Sequence, residues 1–281
     1  MVLTANLWWA EEQTPNLRLG FRCASVLERR RSAYQDIAVY DTADYGRLLA
    51  LDDKVMTTEV DEFVYHEMLV HPALSWCASP RRVLVVGGGD GGCVREICRH
   101  GDVEHVVLAE LDADVVEVSR RHLPKLAASL GDARVEVRIG DAAALLRQAE
   151  PQSFDVVLVD APDPVGPAEV LFGPGFYRDA VRVLVPGGVL AAQSESPFLH
   201  ADLIRSVQGA LRGAFGRAAL YWAVVPTYPG ALWTFSLAVK APWPTSPRRP
   251  RVAGTRYWSP EVQQAAAVLP PFVARLLEAE A

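Results

Sequence analysis

The segment GGGDGG (87–92) follows directly on the apolar run VLVV (83–86) and opens a helix. In that context the glycines read as a nucleotide or nucleoside turn, where missing Cβ atoms let the backbone approach a ligand. Gly87 and Gly89 are the expected contact positions. Glu110 ends the next apolar strand, where a carboxylate can accept both hydroxyls of a ribose. Asp112 is placed instead to cap the helix that follows. Asp90 narrows the ligand further. A carboxylate among loop amides repels phosphate, so the loop suits a nucleoside with a positive tail, which points away from NAD and toward an adenosyl sulfonium. Asp141 ends a further strand. It could accept from an adenine amino group or cap the helix AAALLRQA, and the sequence leaves both open.

Open α/β sheets bind ligands beyond the carboxyl ends of their strands. Asp90, Glu110, Asp141, Asp160, Asp163, Gln193 and Glu195 lie there, acids apart from one amide and with no Lys or Arg among them. Crowded carboxylates raise one another's pKa, and a polycation or a metal ion would relieve them. No histidine belongs to this set by position, and its spacing matches no standard metal site, so no metal is expected. Asp160 and Asp163 bracket DAPDPVGP (160–167), whose prolines stiffen the loop. One of these acids could bind an ammonium group while the other deprotonates it. Tyr65 and His66, on a helix over 61–74, and Tyr228, in VPTYPG, supply rings and hydroxyls for a slot that fits a methylene chain.

Groups so far apart in sequence need a scaffold to bring them together. Residues 1–76 are rich in β-formers; YQDIAVYDT and YGRLLALDD read as strands with Asp44 and Gly46 near their turn, and a connecting helix follows. Residues 77–240 alternate apolar strands with helices. The strands are VLVV, HVVLAEL (105–111), RVEVRIGD (134–141), FDVVLVD (154–160) and GGVLAAQ (187–193). Helices run through His100, to about His122, and over 200–215. ALYWAVV and ALWTFSLAV close the sheet, the last as an antiparallel partner. The pattern predicts a doubly wound, Rossmann-like (class I methyltransferase-like), mostly parallel sheet with a small N-terminal antiparallel β domain. Residues 241–281 read as a Pro- and Arg-rich linker and a C-terminal helix, capped by Ser259 before Pro260 and interrupted at Pro270-Pro271.

The chain has 281 residues, 50% of them hydrophobic and 22% charged, which is the profile of a full-cored globular protein. Its net charge of −6 argues against nucleic acid as a partner and allows a cationic ligand. No apolar run reaches the ~18 residues of a membrane span, and the N-terminus lacks a signal-peptide pattern. Cys23, Cys77, Cys93 and Cys98 form no CxxC pair, so a reducing cytoplasm is expected.

Together YQDI (34–37), TTEVDEFVYHEML (57–69), GGGDGG (87–92), AELD (109–112), VDAPDPVGPAE (159–169), Gln193 and PTYPG (226–230) resemble the spermidine synthase family, the polyamine aminopropyltransferases. The similarity runs from about residue 28 to 240, with a weaker echo in RYWSPEV and VLPPFV. It implies transfer of an aminopropyl group from decarboxylated S-adenosylmethionine, as co-substrate, to a diamine, putrescine by default. Methylthioadenosine is the by-product, and no tightly bound cofactor is implied. By matching position, Asp160 is the implied proton acceptor. Asp163, His66, Asp90 and Tyr65 contact the amine and aminopropyl groups. Gln35, Glu110, Asp141 with Ala142 beside it, and Pro167 lie near the methylthioadenosine moiety, and Gln193 and Tyr228 line the acceptor slot. A homodimer or homotetramer built through the N-terminal β domain is also implied. Ala161-Pro162 stands where the family commonly has Ser followed by Ser or Thr, and Gln263 where it often has His. These departures bear on the choice of acceptor. Two competing readings are an S-adenosylmethionine-dependent methyltransferase, which has no need of DAPDP with Tyr65-His66, and a non-catalytic polyamine-binding protein, which has no need of the Asp160–Asp163 pair.

Overall fold

The computed structural model describes residues 7–162, 166–248, 250 and 252–278. Asp163 and the side chain of Pro167 lie outside the described residues. Among these residues the strands form two sheets. The first is antiparallel in chain order: β1 (Leu7–Thr14), β2 (Leu17–Arg31), β3 (Asp36–Thr42), β4 (Gly46–Leu51) and β5 (Lys54–Thr58). Register shifts between Cys23 and Ser25 and between Val26 and Glu28 break the long β2, and such bulges bend a strand. The sheet curls until the Glu11 carboxylate of β1 accepts from the Val55 amide of β5 at 3.0 Å. Its concave face packs Phe21, Tyr40, Leu48 and Val55. The other face presents Ile37, Val39 and Leu49 to Val115, Val118 and Leu123 of the second layer.

Helix α1 (Glu62–Trp76) joins the two sheets and is buried on nearly every side. A helix so placed must pair every charge it carries, and it carries Glu62, His66, Glu67 and His71. Pro72 sits inside it. Proline has no N–H to return to the Met68 carbonyl, and that carbonyl accepts the Tyr221 hydroxyl instead, at 2.8 Å.

The second sheet has the parallel strands β6 (Arg82–Gly87), β7 (His105–Glu110), β8 (Val135–Ile139), β9 (Phe154–Asp160) and β10 (Leu184–Gln193). Strands β11 (Ala218–Val224) and β12 (Leu232–Val239) form a hairpin, and β12 runs antiparallel to β10. The order is β11-β12-β10-β9-β6-β7-β8. Alternate residues of the apolar runs enter opposite cores, as strand geometry requires: Val83 and Val85 pack with α1, Leu84 and Val86 with the helices of the other face. The covering helices are α2 (Gly92–Cys98), α3 (Ala113–His122), α4 (Pro124–Ala127), α5 (Ala142–Gln148), α6 (Pro174–Val183) and α7 (Ala201–Phe215). The C-terminal stretch carries α8 (Pro260–Ala266), with Ser259 Oγ accepting from the Val262 amide at 3.1 Å, and α9 (Pro271–Ala274). This is the expected Rossmann-like fold with an N-terminal antiparallel sheet. Among the described residues no helix is long and apolar enough to cross a membrane.

Candidate active site

The chain order reverses between β6 and β9: β7 and β8 lie on one side of β6, β9 and β10 on the other. A crevice opens beyond strand ends at such a switch point. Register there pairs Gly87, the last residue of β6, with Asp160, the last of β9. Gly88 follows at φ +73°, and a Cβ on it would lie 2.7 Å from Asp160 Oδ2. Glycine at 88 is what lets the carboxylate rest against the loop.

Helices α1 and α2 and the glycine loop converge on Asp160. From α1, Tyr65 donates its hydroxyl to Asp160 Oδ1 at 2.6 Å. His66, Cys93 of α2 and Asp160 hold their polar atoms within 4.8 Å of one another. His66 Nε2 lies 3.4 Å from Asp90 Oδ2, and its Nδ1 lies 2.6 Å from Glu62 Oε2. Arg95 grips Glu62 with two bonds of 2.8 Å. A Cβ at Gly92 would fall 2.2 Å from the His66 ring, so the loop admits that ring only because it has no side chain there. The Gly92 amide donates to Asp90 Oδ1 at 2.8 Å, which fixes the loop acid.

The expectation that no histidine belongs to the acidic set does not hold. α1 carries His66 in from 24 positions before Asp90 (90 − 66), a tertiary contact with no local signal. Burial opposes charge on His66, yet Asp90 and Glu62 outweigh it and hold the ring well above its usual pKa. Burial also raises Asp160, the Asp90 charge adds to that, and His66 and Tyr65 pull it partly back. The acids are therefore not left to repel one another alone. His66, Cys93 and Asp160 are close enough to face one metal ion, but each ring nitrogen already faces a carboxylate and Asp160 already accepts a phenol proton.

A second group of contacts is built on Glu110, at the end of β7. It accepts from the Gly89 amide at 3.0 Å and the Asp112 amide at 2.9 Å. Burial outweighs those bonds and pushes its carboxyl up to about 7. Asp112 caps α3 through the Asp114 amide at 3.0 Å, as its position in the sequence suggests. Its second oxygen accepts from Gln35 Nε2 at 2.9 Å and Ser32 Oγ at 2.6 Å, which brings the end of the first sheet to the crevice beside Glu110. Asp141 caps α5 through the Ala143 amide at 2.8 Å, and Ala142 is buried beside it.

The side of the crevice lined by Gln193 and Tyr228 is enclosed: Gln193 is buried at the end of β10. Gln193 donates to the Ala161 carbonyl at 3.1 Å and accepts from the Glu195 amide at 3.0 Å. Glu195 is 1% exposed, with Oε2 3.1 Å from His200 Nδ1. The Tyr228 ring meets that of Tyr65 with centroids 5.4 Å apart, and its hydroxyl donates to the Met56 carbonyl at 2.6 Å. Asp61 locks this loop to the start of α1, accepting from the Thr227 amide at 3.0 Å and hydroxyl at 2.8 Å. Gln263 belongs elsewhere: it accepts from Trp258 Nε1 at 3.0 Å and donates to Ser75 Oγ at 2.9 Å. Glu62, Arg95 and Cys93 are the site neighbours that sequence reasoning misses. The spacing of Glu62 and His66, four apart on a helix, was the one usable signal.

The fold is that of the Rossmann-like, methyltransferase-type class of proteins, with an N-terminal antiparallel sheet. Residues 62–247 match the Spermine/spermidine synthase domain, and residues 7–59 match the Spermidine synthase tetramerisation domain. The polyamine aminopropyltransferase of Moorella thermoacetica is 48% identical over 276 residues, covering 97% of each chain. That of a Thermoanaerobacter species is 44% identical over 270 residues, covering 95% of this chain and 97% of the other. A crystal structure of spermidine synthase in complex with the transition state analogue AdoDATO matches with a TM-score of 0.93 and 33% identity, over 96% of this chain and 94% of that one. The spermidine synthase of Thermotoga maritima matches with a TM-score of 0.92 at 33% identity, over the same shares of the two chains. The chain belongs to the spermine/spermidine synthase family.

Proposed function

We propose that this enzyme moves the aminopropyl group of decarboxylated S-adenosylmethionine to a diamine, putrescine by default, and releases methylthioadenosine. The observation that carries the reading is the pairing of Gly87 with Asp160, which sets a carboxylate beside a nucleoside turn that itself carries Asp90. Glu110 accepts the ribose hydroxyls, and Gly87 and Gly89 let the nucleoside approach the backbone. Gln35, Asp141, Ala142 and Pro167 surround the methylthioadenosine moiety. Asp90, Tyr65 and His66 face the aminopropyl chain, and Asp163 takes the acceptor's ammonium group. Gln193 and Tyr228 wall the acceptor slot.

The chemistry is an in-line displacement. The acceptor arrives as an ammonium ion and has no lone pair until it loses a proton to Asp160, whose basicity burial and Asp90 raise. The freed nitrogen attacks the aminopropyl carbon as the carbon–sulfur bond breaks, and the sulfonium leaves as a neutral thioether. The leaving group needs no proton, so one base suffices, and binding the two substrates side by side supplies much of the remaining acceleration. The donor is a co-substrate, and no tightly bound cofactor is invoked. The match of 7–59 to a tetramerisation domain supports a homodimer or homotetramer built through the first sheet. Functional units of 1–76, 77–240 and 241–281 and a cytoplasmic setting complete the proposal.

Incubating the protein and putrescine with each donor in turn tests this. Methylthioadenosine from the decarboxylated donor is expected; S-adenosylhomocysteine from S-adenosylmethionine would instead make it a methyltransferase. Neither product, with polyamine still bound, would make it a binding protein.

A further inference from the structure

His66 is 2% exposed and sits where a substrate cation should go, yet each of its ring nitrogens faces a carboxylate: Nδ1 faces Glu62 at 2.6 Å, and Nε2 faces Asp90 at 3.4 Å. A neutral imidazole has one N–H and one lone pair. Whichever nitrogen kept the lone pair would direct it at a carboxylate in a buried site. Only the doubly protonated ring satisfies both sides. Glu62 is itself buried and could escape its charge by taking a proton, but Arg95 prevents that with two parallel bonds of 2.8 Å. Burial raises the Glu62 carboxyl, and His66 and Arg95 more than reverse this, to about 2. The groups facing the ring are Glu62 and the Tyr65 phenol from α1, Asp90 from the glycine loop, the Cys93 thiol from α2 and Asp160 from β9.

We infer that Glu62, held by Arg95, is a positioning residue that keeps His66 as a resident imidazolium between Asp90 and Asp160, so that Asp160 is free to take a proton when the acceptor arrives. The inference rests on the reading of Asp160 as proton acceptor. Without a neighbouring positive charge, burial and the Asp90 charge both favour a proton on Asp160, and an Asp160 that already holds one cannot take another from the acceptor. The imidazolium counters this: it lowers the proton affinity of Asp160, while burial and Asp90 keep it above that of a free aspartate. Glu62 touches no substrate in this scheme. Its work is done through one ring.

The test is the pH profile of kcat/KM in Glu62→Gln and Glu62→Asp, read beside the charge state of His66 by nitrogen NMR of histidine-labelled protein. The His66 signal is assigned by its loss in His66→Gln. In the parent both His66 nitrogens are expected to stay protonated at pH 8. Glu62→Gln should move the acid limb of kcat/KM up by at least about one pH unit, with a roughly tenfold loss at pH 7 that shrinks at higher pH; a one-unit shift is a factor of ten in protonation. Glu62→Asp should restore most of the original limb. A neutral His66 in the parent at pH 8 overturns the inference even if no Glu62 variant folds. So does a Glu62→Gln profile lowered equally at every pH, which is the signature of a merely structural role. An Asp160→Asn enzyme with full activity would strike the base assignment instead, while the measured charge on His66 would still stand.

Discussion

Asp160 reaches its place through strand register, and its chemistry comes from its neighbours. Asp160→Asn keeps the shape and removes the proposed base. We expect a loss of about 10²–10⁴ in kcat, with methylthioadenosine affinity nearly unchanged by calorimetry. Activity within a few-fold of the parent would show that the proton goes elsewhere. Glu110 offers a second measurement. Its carboxyl, pushed up to about 7 chiefly by burial, is part-protonated in the empty site at neutral pH. Ribose hydroxyls donate to the ionised form and favour it, so nucleoside binding should release a fraction of a proton near pH 7. Titration in buffers of different ionisation enthalpy reads that release directly. Glu110→Gln should abolish it and weaken methylthioadenosine by about 1.5–3 kcal/mol, the worth of a hydrogen bond to a charged group. Release unchanged in the variant would move the effect to another group.

Helix α1 is the element on which the site depends, because it brings Glu62, Tyr65 and His66 to the crevice from one rigid segment. On its far side Glu67, 1% exposed, collects the backbone amides of Arg256, Tyr257 and Trp258 at 2.8 Å each. The irregular C-terminal segment is thereby tied to the helix. Glu67→Gln puts an amide donor against N–H groups and should cost about 1–3 kcal/mol, read as a lower urea midpoint; an unchanged midpoint would mean the segment is held by packing alone. What the sequence reveals at this scale follows from physics. Continuous apolar runs mark β6, β7 and β9 because both of their faces are covered. β1 and β2 are harder to see, because WWAEEQ and FRCASVLERRR place charged residues on the exposed face of bulged strands. α6 is passed over although Phe176, Tyr177, Ala180 and Val183 recur at helical spacing behind Pro174. The acids of the site can be read from strand ends, but the Glu62–Arg95 pair that charges His66 joins two helices 33 positions apart (95 − 62) and leaves no local trace.

At the scale of the whole molecule, a second buried polar cluster lies between α1 and α2. His71 Nε2 faces Glu96 at 3.2 Å, its Nδ1 meets His100 Nε2 at 3.0 Å, and the Trp258 ring packs on it with centroids 4.9 Å apart. Burial, reinforced by His71, lowers His100 to about 4. An unfolded histidine titrates near 6.5, so below that value the unfolded chain binds the extra proton. Stability is therefore full above about pH 6.5 and falls as pH drops toward 4, by on the order of 3 kcal/mol from this group. Glu62, lowered to about 2, adds a separate loss between about pH 4.5 and 2. Urea midpoints measured from pH 7 to 4 should decline in the parent and flatten in His100→Asn; parallel curves would remove His100 from the account. These stability effects leave the reaction itself to be tested. The direct measurement is the mass of the amine formed from decarboxylated S-adenosylmethionine and a panel of diamines, counted against the nucleoside released. An acceptor heavier by one aminopropyl group is expected, in a one-to-one ratio with methylthioadenosine. A methylated amine beside S-adenosylhomocysteine, or methylthioadenosine released with the diamine unchanged, would contradict it.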